Sequence, residues 1–308
     1  MRRGSQPGGA RGFPAVVRAA AFLVVLAACG GSSSPPASGP GTSPPPVQQG
    51  QLTVGGDTRG YRVFVPPGVE TPAPLVVALH GAGNSAESMV GTTLFDREAQ
   101  AGGFIVAYPE GVQQSWNAGF CCAGAFASGV DDVAFLNRFL DRLEADYPID
   151  PARVYVVGVS AGAMMAYRFA CEQADRVAGV GSVAGSMPLE GCRPLRPVSA
   201  IEIHGTDDPL VPYGGGPVAP PEAVASEPVP PTPEVARRWA DLDGCSGDPT
   251  TQSEGPVTTA TWTECSAGTA VRLVSVEGGG HVWFAPGLGP ANGAIDATNQ
   301  IWSFFSGL

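Results

Sequence analysis

The sequence predicts an α/β fold, a mostly parallel central sheet with helices on both faces. Three observations predict it. Short continuous apolar runs at 75–79 (LVVAL), 104–108 (FIVAY) and 154–157 (VYVV) read as parallel strands buried on both sides. Between the second and third runs, Val133, Leu136, Phe139, Leu140 and Leu143 recur at helical spacing. Strand and helix signals then alternate to the end of the chain.

Taken in order, the folded part is expected to begin near Gln51. Residues 51–54 and 61–65 read as strands, with Gly55-Gly56-Asp57 and Arg59-Gly60 as turn material between them. The run 75–79 is broken by 80–85, which carries two glycines. A helix is predicted over 130–147, with Asp131 and Asp132 at its start, where negative charge suits the helix dipole. The strand 154–157 leads at once into 158–162 and then a helix over 163–172. Further strands are expected at 177–183, 198–203 and 271–276, with a closing helix over 294–305. Residues 214–233, rich in Gly and Pro and without periodicity, read as an insertion or cap loop.

At 308 residues, 44% hydrophobic and 15% charged, the chain suits a globular protein with a sizeable core. Its net charge of −11 argues against nucleic acid as a partner, because phosphate binding needs a basic footprint. Residues 1–28 read as a leader: four arginines, then an apolar run too short to span a bilayer comfortably. It ends in Leu26-Ala27-Ala28-Cys29, which resembles the bacterial lipobox. That resemblance implies cleavage before Cys29, lipid on its sulfur, and a membrane-anchored protein of the cell envelope; the alternative is an ordinary secretory signal. Residues 29–50, rich in Gly, Ser and Pro, read as a tether to a catalytic domain over 51–308.

Six cysteines remain, and an even number in an exported chain favours disulfides. Cys245 and Cys265 enclose a short loop-rich stretch and are expected to pair. A Cys171–Cys192 pair would leave the vicinal Cys121 and Cys122 either bridged or reduced. Metal binding is the weaker reading, since no CxxC or nearby histidine accompanies them.

Gly158-Val159-Ser160-Ala161-Gly162 matches the G-x-S-x-G nucleophile elbow of the α/β-hydrolase fold, set between a buried strand and a helix. A serine needs an adjacent base. In this fold the acid and then the histidine follow the serine along the chain. Of the three histidines, His80 precedes Ser160 and His204 lies just ahead of the acidic candidates. His281, in a Gly-rich loop after the last strand, is left as the base. Asp207 or Asp208 could orient it, and spacing does not separate them. Two backbone N–H groups are needed for a developing oxyanion. Ala161 is expected to supply one, and Ala82, in the loop after 75–79, the other.

With these pieces placed, the chain resembles the polyhydroxybutyrate depolymerase and feruloyl esterase group of α/β-hydrolases. The resemblance runs from about Tyr61 to the C-terminus. It rests on LHGAG (79–83), WNAGFCC (116–122), VDDVAFL (130–136), YPIDPARVYVVGVSAGAMMAYRFAC (147–171), HGTDDPLVPYGGG (204–216) and GGGHVWF (278–284). It implies Asp208 as the acid, and Trp116, Asn117 and Trp283 near substrate, core packing being the alternative for both tryptophans. It further implies carboxylic ester hydrolysis without metal or organic cofactor. The substrates implied are polyhydroxyalkanoate oligomers, or feruloyl or acetyl esters of plant polysaccharide. Val282-Trp283-Phe284 departs from the group's more common Thr-Trp-Pro, which bears on the acyl pocket. Peptidase or acyltransferase chemistry on the same fold is an alternative. So is a non-catalytic binding protein, against which a retained triad and oxyanion loop both argue.

Overall fold

The computed structural model describes residues 47–188, 190–219 and 227–308. The leader 1–28, Cys29 and residues 30–46 of the expected tether lie outside the described residues. The described chain starts in β1 (Val47–Val54), so residues 47–50 belong to the sheet rather than to a tether. β1 pairs antiparallel with β2 (Asp57–Phe64) through Gly55 and Gly56, both at positive φ, as a tight hairpin requires. Arg59 and Gly60, expected in a turn, are inside β2. Arg59 is buried there because its guanidinium pairs with the buried Asp132 carboxylate.

Next come β3 (Ala73–Leu79), β4 (Ile105–Pro109), β5 (Ile149–Val159), β6 (Gly179–Val183) and β7 (Ser199–Gly205). β8 (Thr250–Glu254), β9 (Val257–Trp262) and β10 (Val271–Val276) complete a sheet ordered β1-β2-β4-β3-β5-β6-β7-β10-β9-β8. From β4 through β10 the six central strands are parallel, and an antiparallel hairpin flanks each edge. Every residue of β3, β4, β6 and β7 is buried, as apolar runs between two helical layers require.

One face is covered by α4 (Asp132–Asp146), α5 (Ala161–Glu172) and α6 (Thr232–Leu242). α4 carries the expected stripe: Val133, Leu136, Phe139, Leu140 and Leu143 are all buried, and the Asp131 side chain caps the helix at the Ala134 N–H. α1 (Ala86–Thr93), α2 (Phe95–Gly102) and α7 (Ala297–Phe305) cover the other face. A short α3 (Ala123–Ala127) precedes α4.

α1 is capped by a reciprocal Ser85–Ser88 pair, and α6 opens on Pro233 in its first turn, where the missing N–H costs nothing. Of the 214–233 segment, residues 214–219 and 227–233 are described. Gly216 and Val229 exchange backbone hydrogen bonds, and Pro233 is helical.

The six cysteines among the described residues are paired, Cys121–Cys122, Cys171–Cys192 and Cys245–Cys265. The last pair encloses the β8–β9 hairpin rather than an irregular loop.

Candidate active site

β4 and β5 lie on opposite sides of β3, so the chain reverses its direction of travel across the sheet there. In open α/β sheets the crevice at the carboxyl ends of such strands is the usual ligand site. The loop after β3 and Ser160 after β5 meet at that point. Ser160 sits between strand and helix with φ 55° and ψ −123°. A non-glycine residue in such a conformation costs about 1–3 kcal/mol and persists only where packing enforces it. The enforcement is visible: a Cβ at Gly158 would collide with Gly162, and one at Gly162 with the Leu79 and His80 carbonyls. The turn is closed by the Ser160 N–H bonding the Val183 carbonyl at 2.9 Å.

His281 follows β10. Its loop is tied to the loop after β7 by Asp207 N–H to Gly279 O (2.9 Å) and Gly278 N–H to Thr206 Oγ1 (2.9 Å). A Cβ at Gly205 would strike the Gly279 carbonyl, so this close approach needs glycine. His281 Nδ1 lies 2.8 Å from Asp208 Oδ2. Asp208 Oδ1 accepts the Leu210 and Val211 N–H groups at 2.8 and 2.9 Å. Burial opposes ionisation of Asp208, but the hydrogen bonds from His204, His281 and the backbone outweigh it and hold the carboxyl well below its ordinary range. Asp207 is exposed and meets Thr206 instead.

One cavity of about 410 Å³ is lined by Ala82, Ser160 and His281 together with Met89, Trp283 and the half-exposed Leu288. A larger cavity, about 1010 Å³, opens beside Arg153 and Trp302 at the amino ends of the parallel strands, the opposite end from Ser160. Within the described residues, neither the Ala82 nor the Ala161 N–H has a hydrogen-bond partner.

The loop carrying Ala82 is held by His80, which sequence order alone had set aside. Its Nδ1 lies 2.8 Å from the Gly81 carbonyl, and its Nε2 accepts the Gly111 N–H at 3.0 Å. Burial lowers its pKa, which suits a neutral ring with one donor and one acceptor.

Trp283 lines the cavity, but its indole N–H is committed to Thr298 Oγ1 at 3.0 Å. Trp116 and Asn117 do not line it. Trp116 is fully buried under the His80 loop, donating to the His80 carbonyl at 2.9 Å. Asn117 organises its own turn, through Asp132, Val130 and Gly119. The polar groups of both are thus engaged in holding the surrounding loops. Three further side chains were missed: Tyr167, Glu202 and His204, buried behind Asp208. Glu202 inside the apolar run 198–203 was the available signal, since a buried carboxylate needs partners.

Residues 59–209 match the family described as "Esterase PHB depolymerase". The chain is 36% identical over 252 residues to "Putative esterase NocK" of Nocardia uniformis subsp. tsuyamanensis, covering 76% of this chain and 73% of that protein. The chain belongs to this esterase family. "Feruloyl esterase B" of Piromyces equi is 30% identical over 220 residues, covering 68% of the esterase but only 39% of that longer protein. The solved acetyl xylan esterase from Aspergillus awamori shares the fold, with a TM-score of 0.58 at 18% identity, covering 83% of this chain and 99% of that one. The esterase is thus a serine esterase with the α/β-hydrolase fold.

Proposed function

We propose that the esterase cleaves carboxylic esters through an acyl-enzyme on Ser160, with His281 as general base and Asp208 as its orienting acid. The observation that carries this reading is the 2.8 Å contact between His281 and Asp208 beside the cavity that Ser160 also lines. Ser160 Oγ attacks the carbonyl carbon and its proton passes to His281. The developing oxyanion accepts from the Ala82 and Ala161 N–H groups, which have no other partner among the described residues. Collapse expels the alcohol, protonated by His281, and water then releases the acid by the same route. No step calls on a metal or organic cofactor.

The substrates are feruloyl or acetyl esters of plant polysaccharide, or polyhydroxyalkanoate oligomers. In favour are the relatives' names and an apolar cavity wall of Met89, Trp283 and Leu288. The test is turnover of methyl ferulate, acetylated xylan and polyhydroxybutyrate by the purified protein, with Ser160→Ala as control. Retained hydrolysis by Ser160→Ala sinks the mechanism, and turnover of only one substrate names the class.

The three disulfides suit an exported protein. Export, with lipid on Cys29, is the reading the leader supports. Cys29→Ala is expected to move the esterase from the membrane fraction to the soluble fraction, and an unchanged distribution refutes the anchor.

A further inference from the structure

We propose that His204 is a positioning residue for ester hydrolysis, a second buried imidazole that holds Asp208 in place for His281 through its Nε2–H. The inference rests on the reading of Ser160, His281 and Asp208 given above. His204 is fully buried near the end of β7. Its Nε2 lies 2.9 Å from the Val211 carbonyl and 3.2 Å from Asp208 Oδ2, the same oxygen that meets His281. A backbone carbonyl and an ionised carboxylate can only accept, so Nε2 must carry a proton.

The other nitrogen faces Glu202 Oε1 at 3.1 Å, with Thr232 Oγ1 at 3.4 Å. Glu202 Oε2 in turn accepts the Tyr167 hydroxyl at 2.9 Å. The ring of Tyr213 stands edge-on to His204, with its hydroxyl bonded to Ser275. Burial works against charge on His204, but its bonds to Asp208 and Glu202 prevail and push it up to about 9. Burial also pushes Glu202 up. One proton is thus held between Glu202 Oε1 and His204 Nδ1. Whichever atom carries it, Nε2 remains the donor toward Asp208 and Val211.

This arrangement acts on Asp208 twice. It supplies a contact to Oδ2 directly, and it pins Val211, whose own N–H bonds Oδ1. Removing it frees the Asp208 turn and leaves the anion's charge to the His281 ring alone. That favours the protonated ring, which is inactive as a base.

The test compares wild type, His204→Phe and His204→Gln on a chromogenic short-chain ester over roughly pH 5–9, with Ser160→Ala in parallel. Glutamine keeps an N–H near the Nε2 position, and phenylalanine keeps only the shape. His204→Phe is expected to lose roughly tenfold or more in kcat with KM within about twofold, as the loss of a hydrogen bond to a charged group implies. Its acidic limb should move to higher pH, and His204→Gln should recover most of both. Wild-type kcat and an unmoved limb in folded His204→Phe overturn the proposal, as does a His204→Gln no better than the phenylalanine variant.

Should His204→Phe fail to fold, ring-nitrogen NMR of folded His281→Ala decides, because only His80 and His204 then remain. One ring is expected with Nε2 bare, for His80, and one with Nε2 protonated, for His204. Two bare Nε2 atoms overturn the proposal. Activity in Ser160→Ala would instead overturn the underlying mechanism, while leaving the NMR result intact.

Discussion

Asp208 and Asp243 are both buried aspartates at the ends of secondary-structure elements, yet their environments push them in opposite directions. Asp208 has N–H donors at both oxygens, two from the backbone and one or two from imidazoles. Asp243 accepts the Val198 N–H at Oδ1 (2.9 Å), while its Oδ2 has no partner among the described residues. Burial therefore prevails at Asp243 and pushes it up to about 7, whereas Asp208 stays well below the ordinary range. The difference lies in the number and charge of donors, and Asp243 is also the more deeply buried of the two. One aspartate is built to remain an anion, and the other is tolerated because it can remain neutral.

The largest expected contrast is catalytic. Asp208→Asn should lower kcat by about ten-thousandfold, because the base loses its orienting anion, while Asp243→Asn stays within about twofold in the same assay. Comparable losses in the two variants would break the distinction.

Stability against pH should separate them next. Asp208 is depressed in the folded state, so its contribution is present above about pH 4 and is lost as pH falls below that. Asp243 is raised from 3.8 to about 7, so the folded state keeps a proton that the unfolded chain has already released. The contribution of Asp243 to stability therefore falls by roughly 4 kcal/mol between about pH 4 and pH 7 and changes little beyond. Urea titrations of wild type and Asp243→Asn should differ in slope over that window by about this amount, the variant losing less stability as pH rises.

A smaller effect concerns the same corner of the fold. The Asp243 carbonyl accepts the Ser266 N–H at 2.9 Å, next to the Cys245–Cys265 bridge. Replacing both cysteines with serine is expected to cost about 3 kcal/mol, read as a lower melting temperature, with kcat unchanged at room temperature. A fall in kcat would show that this corner also supports the site. The smallest effect is expected at Asp207. Being exposed, Asp207→Ala should leave kcat/KM within about twofold, and a large loss would mean that Asp208 is not the sole orienting acid.

Much of this was legible in advance, for local reasons. Strands 75–79, 104–108 and 154–157 are apolar throughout because helices cover both sides of the sheet, and that constraint is written into every residue. The elbow was legible because Gly158 and Gly162 are dictated by backbone packing. The β8–β9 hairpin was not, since β8 is exposed along its whole length and carries no burial pattern. α1 was missed because a serine, not a glutamate or glutamine, completes its capping box.

By itself the sequence determined which strand leads into the elbow serine, that a histidine follows the last strand, and that two neighbouring aspartates follow the run 198–203 as candidates for the acid. Only the tertiary structure set Asp208 rather than Asp207 against the His281 ring, placed Trp116 and Asn117 outside the lining of the Ser160 cavity, and set His204 behind Asp208. The reason is physical. Spacing along the chain governs which residues share a face, but a carboxylate's charge state depends on donors from β7, β10 and the loops after them, which meet only when the sheet is assembled.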